Sequence, residues 1–349
     1  MATLSLHPPN NATGTTLTGL TALLQGTGFA RLGGTGWLRV TGEDRVRWLN
    51  GMTTNSISEL KAGAGSYNFF LSAQGRIQGD AYAFAETGSI LLEIDRDRLP
   101  ALIELLDRFI IMDDVELADA SADRSGLICA GPGAAATLRA IGIETDDIAP
   151  LHFASADWSD RKLTVILAFS PLVPRFEIWA EGAGAAESIA ELSSALVEAG
   201  GAACAPSALE ELRILEGTPL YGVDIRDREL PQETGQTRAL HFAKGCYLGQ
   251  EIVERIRSRG NVHRAFQAFE LRGDLPQAGT VLESGGKAAG ELTSIAAISL
   301  PSGTIQMALG YIRREALERG EAISYSAGEA KPVAIPFRGA LFLGTEGDR

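Results

Sequence analysis

The sequence predicts an α+β protein that ends in a small all-β unit, a β-barrel or a sandwich. Two observations carry this. Helical and strand-like segments interleave through most of the chain without a clean strand–helix–strand rhythm, which argues against a doubly wound sheet. From about residue 265 the pattern changes to short alternating segments set off by Gly and Pro: Phe266 to Leu271, Thr280 to Leu282, Ala288 to Leu300, Thr304 to Tyr311 and Ala322 to Pro336. A boundary near residue 264 follows. It leaves a loose tail over 1–27, an α+β region over 28–264 read as two interleaved subdomains, and the β unit over 265–349. At roughly 150 residues per domain, a chain of 349 residues has room for two or three domains and a substantial core.

The elements follow in order. Gly36 to Thr41 reads as a strand. Gly42-Glu-Asp-Arg opens a helix through Val46, Trp48 and Leu49, its acidic first turn matching the helix dipole. Tyr67 to Ser72 and Ile77 to Phe84 are strands joined by Ala73-Gln-Gly-Arg76, a hairpin, and Ser89 to Ile94 is a third strand. A helix is expected after Asp97, with Pro100 in its first turn and Leu102, Leu105, Leu106, Phe109 and Ile110 on one face. Residues 126–143 read strand, Gly131-Pro-Gly133, helix. Leu163 to Phe169 and Phe176 to Ala180 are strands. Ala185 to Ala199 is an amphipathic helix aligning Ile189, Leu192 and Leu196, and Leu209, Leu212 and Leu215 mark another.

Composition narrows the function. The chain has 44 acidic and 31 basic side chains, a net charge of −13, 45% apolar and 21% charged residues. That is ordinary for a globular protein and too apolar for disorder. An acidic chain is a poor general coat for nucleic acid. No apolar run approaches the roughly 20 residues of a membrane span. The first basic residue is Arg31 and no long apolar core precedes it, so no secretory leader is expected. Cys129, Cys204 and Cys246 are too few and scattered for a disulfide framework or a zinc site. The expectation is a cytoplasmic protein with reduced thiols.

Most local motifs point to structure. Gly131-x-Gly133-x-x-Ala136 imitates a dinucleotide fingerprint, but Pro132 sits in the turn and no strand ending in an acid follows at about 20 residues. A strand-to-helix turn is the better reading. His7, His152, His241 and His263 show no ligand spacing, and no tightly bound metal is expected.

The segment from Arg238 to Arg264 is different. It holds six basic residues (Arg238, Lys244, Arg255, Arg257, Arg259 and Arg264) against Glu251 and Glu254, a local charge of +4. This suits an anionic ligand. Gly245 and Gly249 flank Cys246, and an amphipathic helix follows from about Gly249, with Ile252, Val253 and Ile256 inward and Glu251 paired to Arg255. Cys246 would then sit before a helix amino terminus and two residues from the Lys244 ammonium, both of which favour a thiolate. Cys129 reads as core and Cys204 as inert.

At this point the sequence resembles the YgfZ-like folate-binding family, related to the glycine-cleavage T-protein. Lys244-Gly-Cys-Tyr-Leu-Gly-Gln-Glu251 is close to that family's KGCYxGQE signature. Gly42 to Asn55, Gly75-Arg-Ile77 with Asp80, Gly131-Pro-Gly133, Phe176-Glu-Ile178, Arg213 to Pro219, Pro231-Gln-Glu233 and Gly290 to Ser294 fall in the family's order, and the likeness covers about 30–345. The resemblance implies a ring-like α+β folate-binding region around a central cavity, closed by a carboxy-terminal β-barrel. It implies tetrahydrofolate or a one-carbon derivative as ligand, and a role in assembling or repairing iron–sulfur clusters, including those of tRNA-thiolating enzymes. It assigns Glu177 to the pterin edge, Lys244 to the folate tail, Asp80 to the folate nitrogen, Tyr247, Gln250 and Arg213 to ligand contacts, and Cys246, with Lys244 and Asp80, to any chemistry. Iron–sulfur proteins are the implied transient partners, with weak tRNA contact through 238–264 and no membrane.

Two departures separate the chain from the T-protein. Gly79 stands where that protein typically has a second Asp, and Glu216 in Arg213-Ile-Leu-Glu-Gly217 is shifted by one place, about 100° around a helix. The competing readings are a folate-dependent aminomethyltransferase, which needs Asp80 and not Cys246, and an RNA-binding module using Arg255, Arg257 and Arg259.

Overall fold

The computed structural model describes residues 19–260 and 262–340. Residues 1–18 of the expected tail, His7 among them, lie outside the described residues. The rest of that tail is ordered. Gly19–Gln25 forms helix α1, because Leu20, Leu23 and Leu24 share a face that is buried.

The chain then lays down two sheets alternately. β1 (Gly28–Arg31) belongs to the second sheet, while β2 (Thr35–Thr41), helix α2 (Arg45–Met52), β3 (Gly65–Leu71), β4 (Ile77–Ala85), β5 (Ile90–Asp95), helix α3 (Leu99–Asp107) and β6 (Glu116–Asp119) build the first. Its order is β3-β4-β5-β2-β6, antiparallel throughout. The chain returns to the second sheet with β7 (Arg124–Ala130), helix α4 (Ala134–Ala140), β8 (Phe153–Trp158), β9 (Arg161–Leu167), β10 (Arg175–Glu181), helix α5 (Ala185–Glu198) and β11 (Ala202–Ala203). That order is β11-β1-β7-β10-β9-β8, and only β1 and β11 run parallel.

Strand alternation decides what faces what. On β4, Ala81 and Ala83 join Leu102 and Leu106 of α3 in one core, and Asp80, Tyr82 and Phe84 take the other face. On β10, Phe176, Ile178 and Ala180 pack with Ile189, Leu192 and Leu196 of α5, and Arg175, Glu177 and Trp179 turn the opposite way. Helices thus back each sheet, and the polar-bearing faces meet. Trp179 closes one end of the meeting, edge-on to Trp37 at 5.7 Å and to Phe84 at 5.3 Å between ring centroids.

Helix α6 (Pro206–Glu216) is followed by a long irregular segment, then helix α7 (Gln250–Arg259). β12 (Arg264–Gly273), β13 (Val281–Ser284), β14 (Lys287–Leu300), β15 (Gly303–Arg313), helix α8 (Arg314–Arg319), β16 (Ile323–Tyr325) and β17 (Gly328–Val333) complete the chain, the strands forming a closed six-stranded barrel in the order β12-β15-β14-β13-β16-β17. The fold class read from the sequence is the one observed, and closure decides for the barrel over the sandwich. On β15, Ala308 and Ile312 fill the barrel, while Met307, Leu309 and Tyr311 pack with Leu212 and Leu215 of α6.

Some local expectations fail for identifiable reasons. Helix α3 stops at Asp107, short of the predicted face, and Phe109 is half-exposed while its carbonyl accepts from Trp48 Nε1 at 3.1 Å. On α7 only Val253 of the three apolar residues is fully buried. The expected Glu251–Arg255 pair is absent, and Arg257 reaches Glu254 at 3.5 Å instead. Gly131-Pro-Gly133 is a packing turn. Gly131 adopts φ +120°, a Cβ there would lie 2.3 Å from Gly26 O, and Gly133 N–H donates to the same carbonyl, so the chain itself fills the space a phosphate would need. Among the described residues no helix is long and apolar enough to cross a membrane.

Candidate functional site

Between the two sheets and α6 lies a cavity of about 950 Å³. Its polar groups come from adjacent strands. Tyr67 of β3 donates to Asp80 Oδ2 of β4 at 2.6 Å. Burial pushes the Asp80 carboxyl up to about 6, although the Tyr67 hydrogen bond and the Arg238 charge both pull it down. Tyr82 stands two residues along β4, opposite Glu93 of β5. Glu93 is hydrogen-bonded to Glu177 of β10, and burial together with the Glu177 charge raises it well above the carboxylate range. Glu177 also accepts from Arg175 Nη2 at 2.6 Å and Trp179 Nε1 at 3.3 Å. At the α6 side the buried Glu216 accepts from Ser170 Oγ and, at 3.4 Å, from Leu172 N–H.

The site residues read from the sequence divide into two places. Asp80, Glu177 and Arg213 line the cavity, whereas Lys244, Cys246, Tyr247 and Gln250 do not. Arg213 has nothing left for a ligand. Its five N–H groups go to both oxygens of Glu210, Thr218 O, Asp224 Oδ2 and Ser294 Oγ. Its assignment as a folate contact is corrected to a structural pin between α6 and the barrel.

Lys244 is corrected likewise. Its ammonium turns inward and donates to Asn50 O, Thr53 O and Asn55 O at 2.7, 2.6 and 2.6 Å, using all three N–H groups. Burial pushes it down to about 7. The three converging carbonyls accept only, so we assign it the charged form. It does not line the cavity, and its N–H groups have no capacity left for a ligand. Tyr247 is buried among Tyr67, Phe69, Tyr221 and Val253, and Gln250 Oε1 accepts its backbone N–H at 3.2 Å. Neither lines the cavity. Gly249, at φ +81°, docks α7 on the hairpin tip, where a Cβ would lie 2.5 Å from Ser72 O, and Ile252 covers Gly75. Lys244, Tyr247, Gly249 and Gln250 are held in this way, while Gly245 and Cys246 are exposed. Cys129 is buried and pushed up to about 12 by burial, as a core thiol should be. Cys204 is half-buried, shifted the same way, and its Sγ lies 3.4 Å from Gly19 O.

The basic segment is not one patch. Arg238 enters the cavity, Lys244 is buried, and Arg264 pairs with Glu233 at 3.1 Å. Only α7 remains of the expected nucleic-acid surface, and there Arg257 stacks on Phe242 at 4.4 Å. Among the described residues no cluster of His, Cys, Asp and Glu could hold a metal ion.

Gly79 now has an explanation. A Cβ there would meet Leu102 of α3 at 3.4 Å, so position 79 faces the helical core and position 80 faces the cavity. The missing second Asp takes no acid from the cavity. Sequence reasoning missed Glu93, Arg175 and Tyr82, and named Arg238 only as one of the basic residues of the 238–264 segment. A signal existed for the three that were missed: polar residues at every second position of otherwise apolar strands, as in Asp80-x-Tyr82 and Arg175-x-Glu177.

A family model described as the GCVT N-terminal domain matches residues 20–244. The chain belongs to that family. Among its relatives, a putative chloroplastic transferase of Arabidopsis thaliana is 25% identical over 292 residues, 83% of this chain and 66% of that protein. An aminomethyltransferase of Symbiobacterium thermophilum is 29% identical over 192 residues, 52% of this chain and 50% of the relative. The chain thus spans between half and about two thirds of these relatives. The glycine cleavage system aminomethyltransferase T of Bartonella henselae shares the fold, with a TM-score of 0.78 over 91% of this chain and 88% of that one, at 18% identity. In this GCVT-family member the matched region ends at Lys244, just before Cys246.

Proposed function

We propose that this chain binds tetrahydrofolate or a one-carbon derivative in the central cavity and supports the assembly or repair of iron–sulfur clusters in partner enzymes, such as tRNA-thiolating ones. Membership of the GCVT family supports the folate part, and so does the donor set. A pterin edge offers adjacent N–H donors, which a carboxylate accepts in pairs, and Glu177 places a carboxylate in an aromatic-walled pocket, each oxygen oriented by one donor, Arg175 or Trp179, and keeping a second lone pair for a ligand. About 950 Å³ falls within the roughly 300–1,000 Å³ of small-molecule and cofactor sites. Bound there, the folate would supply one-carbon chemistry. The chain's own part is to hold the heterocycle at Glu177 and to place Asp80 beside it.

The single observation that carries the cluster reading is the presentation of Cys246. Lys244 and Tyr247 on either side are tied down by buried contacts, and the stretch between them, Gly245-Cys246, is exposed and carries a thiol. One thiolate cannot hold a cluster, which takes about four, so Cys246 implies a shared ligand or a redox role with a partner. The test uses a strain lacking this chain, with a tRNA-thiolating iron–sulfur enzyme as readout. The expected result is that wild type restores activity and Cys246→Ala does not. Equal rescue by both would make the thiol incidental, and no effect of the deletion would remove the cluster role.

Asp80 favours a second reading. A cavity carboxylate titrating near neutrality, in a family with aminomethyltransferase relatives, suits folate-dependent aminomethyl transfer. Robust turnover with glycine-cleavage partners, lost in Asp80→Asn and kept in Cys246→Ala, would establish it over the first.

A further inference from the structure

The cavity contains an arginine whose N–H groups the fold has largely left unused. Arg31 lies exposed at the rim and donates to Ala186 O at 3.1 Å. Arg213 is fully committed, and Arg175 is neutralised between Glu177 and Glu93. Arg238 differs from all three. Among the described residues no carboxylate oxygen comes within 4 Å of it, and its guanidinium donates only to Gln236 Oε1 at 3.1 Å and Tyr82 OH at 2.9 Å. That leaves three of its five N–H groups without a partner.

The surroundings hold this group rigid. The Arg238 guanidinium carbon lies 4.0 Å from the Tyr67 ring centroid and 3.8 Å from that of Phe169. Aromatic rings fix its plane by cation–π contact, and the Gln236 and Tyr82 bonds take Nε–H and one N–H of Nη1, which leaves the other Nη1 N–H and both of Nη2, the end-on fork, unused in a cavity-lining side chain. A pre-oriented fork with unused donors fits a planar carboxylate bidentately.

We propose that Arg238 is the cavity's receptor for a carboxylate, so that a ligand is held by an N–H-rich edge at Glu177 and by a carboxylate at Arg238. This rests on the folate reading of the cavity. The carboxylate has two chemical sources: the glutamate of the folate itself, or a small carboxylic acid bound beside it.

The experiment measures binding of tetrahydrofolate and of tetrahydropteroate, used throughout as its uncharged primary amide so that no carboxylate remains, by calorimetry, with and without glycine or acetate. If the glutamate is the source, Arg238→Met weakens tetrahydrofolate about tenfold or more and leaves tetrahydropteroate within about twofold. Arg238→Lys recovers only part of the loss, because an ammonium lacks the fork. If a separate acid is the source, glycine or acetate tightens pteroate binding to wild type and not to Arg238→Met. Equal weakening of both ligands in Arg238→Met and Arg238→Lys would make Arg238 a structural residue and overturn the proposal. Unchanged binding of both, with no effect of added acid, would overturn it as well. Failure of wild type to bind either ligand would instead overturn the folate reading, and this inference with it.

Discussion

A side chain serves a ligand only with what the fold has not already used. Lys244 and Arg213 have every N–H engaged within the chain, and Asp80 keeps one carboxylate oxygen without a hydrogen-bond donor from another side chain. Asp80 carries the clearest pH signature. Its pKa is raised to about 6, so the folded state binds a proton more tightly than the unfolded chain, where the ordinary value is 3.8. The stability this group contributes is thus fully present below about 3.8 and is lost as pH rises through about 6. Asp80→Asn, which cannot ionise, is expected to melt at a higher temperature than wild type at pH 7.5, with the gap closing toward pH 4. Ligand binding should move the opposite way. If the carboxylate is the form that engages the folate nitrogen, wild-type affinity rises with a midpoint near pH 6, and Asp80→Asn loses that dependence. A wild-type profile flat from pH 5 to 8 would show that Asp80 does not touch the ligand.

The segment from Lys244 to Glu251 shows which part of a site a sequence reveals. Its glycines, aromatic residue and basic residue marked it as special, and it is special. Spacing along the chain could not say that the Lys244 ammonium is spent inside the protein, because it is oriented by carbonyls nearly 200 residues earlier. The cavity acids were legible for the same kind of reason and missed for a related one. Glu177 stood out through its motif, whereas Glu93 matters only because β5 and β10 meet across the cavity. Two substitutions test the anchoring role. Lys244→Met leaves three carbonyls without their donor and is expected to destabilise the fold by about 3 kcal/mol or more. Gly249→Ala places a methyl against Ser72 O at a left-handed position and should cost about 2 kcal/mol or more. Chemical denaturation measures both. Hydrogen exchange should quicken around residues 50–56 in Lys244→Met, while Cys246→Ala should leave stability within about 0.5 kcal/mol.

At the scale of the molecule, several of the recurring motifs prove to be joints between the ring of sheets and the barrel. Asp224 is fully buried and accepts from Arg213 Nη1 and Leu220 N–H on one oxygen, and from Ser294 Oγ and Thr293 Oγ1 of the barrel on the other. Glu233 of the Pro-Gln-Glu turn holds Arg264 at the start of the barrel. Beneath these bonds, Leu212 and Leu215 of α6 share a core with Met307, Leu309 and Tyr311. A joint that is both apolar and charged in this way couples the two parts into one folding unit. The four tryptophans, at 37, 48, 158 and 179, all lie outside the barrel, so their fluorescence reports the sheets alone. Asp224→Ala removes the acceptor of two barrel hydroxyls and leaves Arg213 with Glu210 as its remaining carboxylate, a loss expected near about 3 kcal/mol. Because the parts are coupled, the tryptophan melt and the far-ultraviolet circular dichroism melt should shift down together and stay coincident. Separation of the two curves in Asp224→Ala, with the circular dichroism change preceding the tryptophan change, would show that the barrel unfolds independently and that the sheets keep the cavity without it.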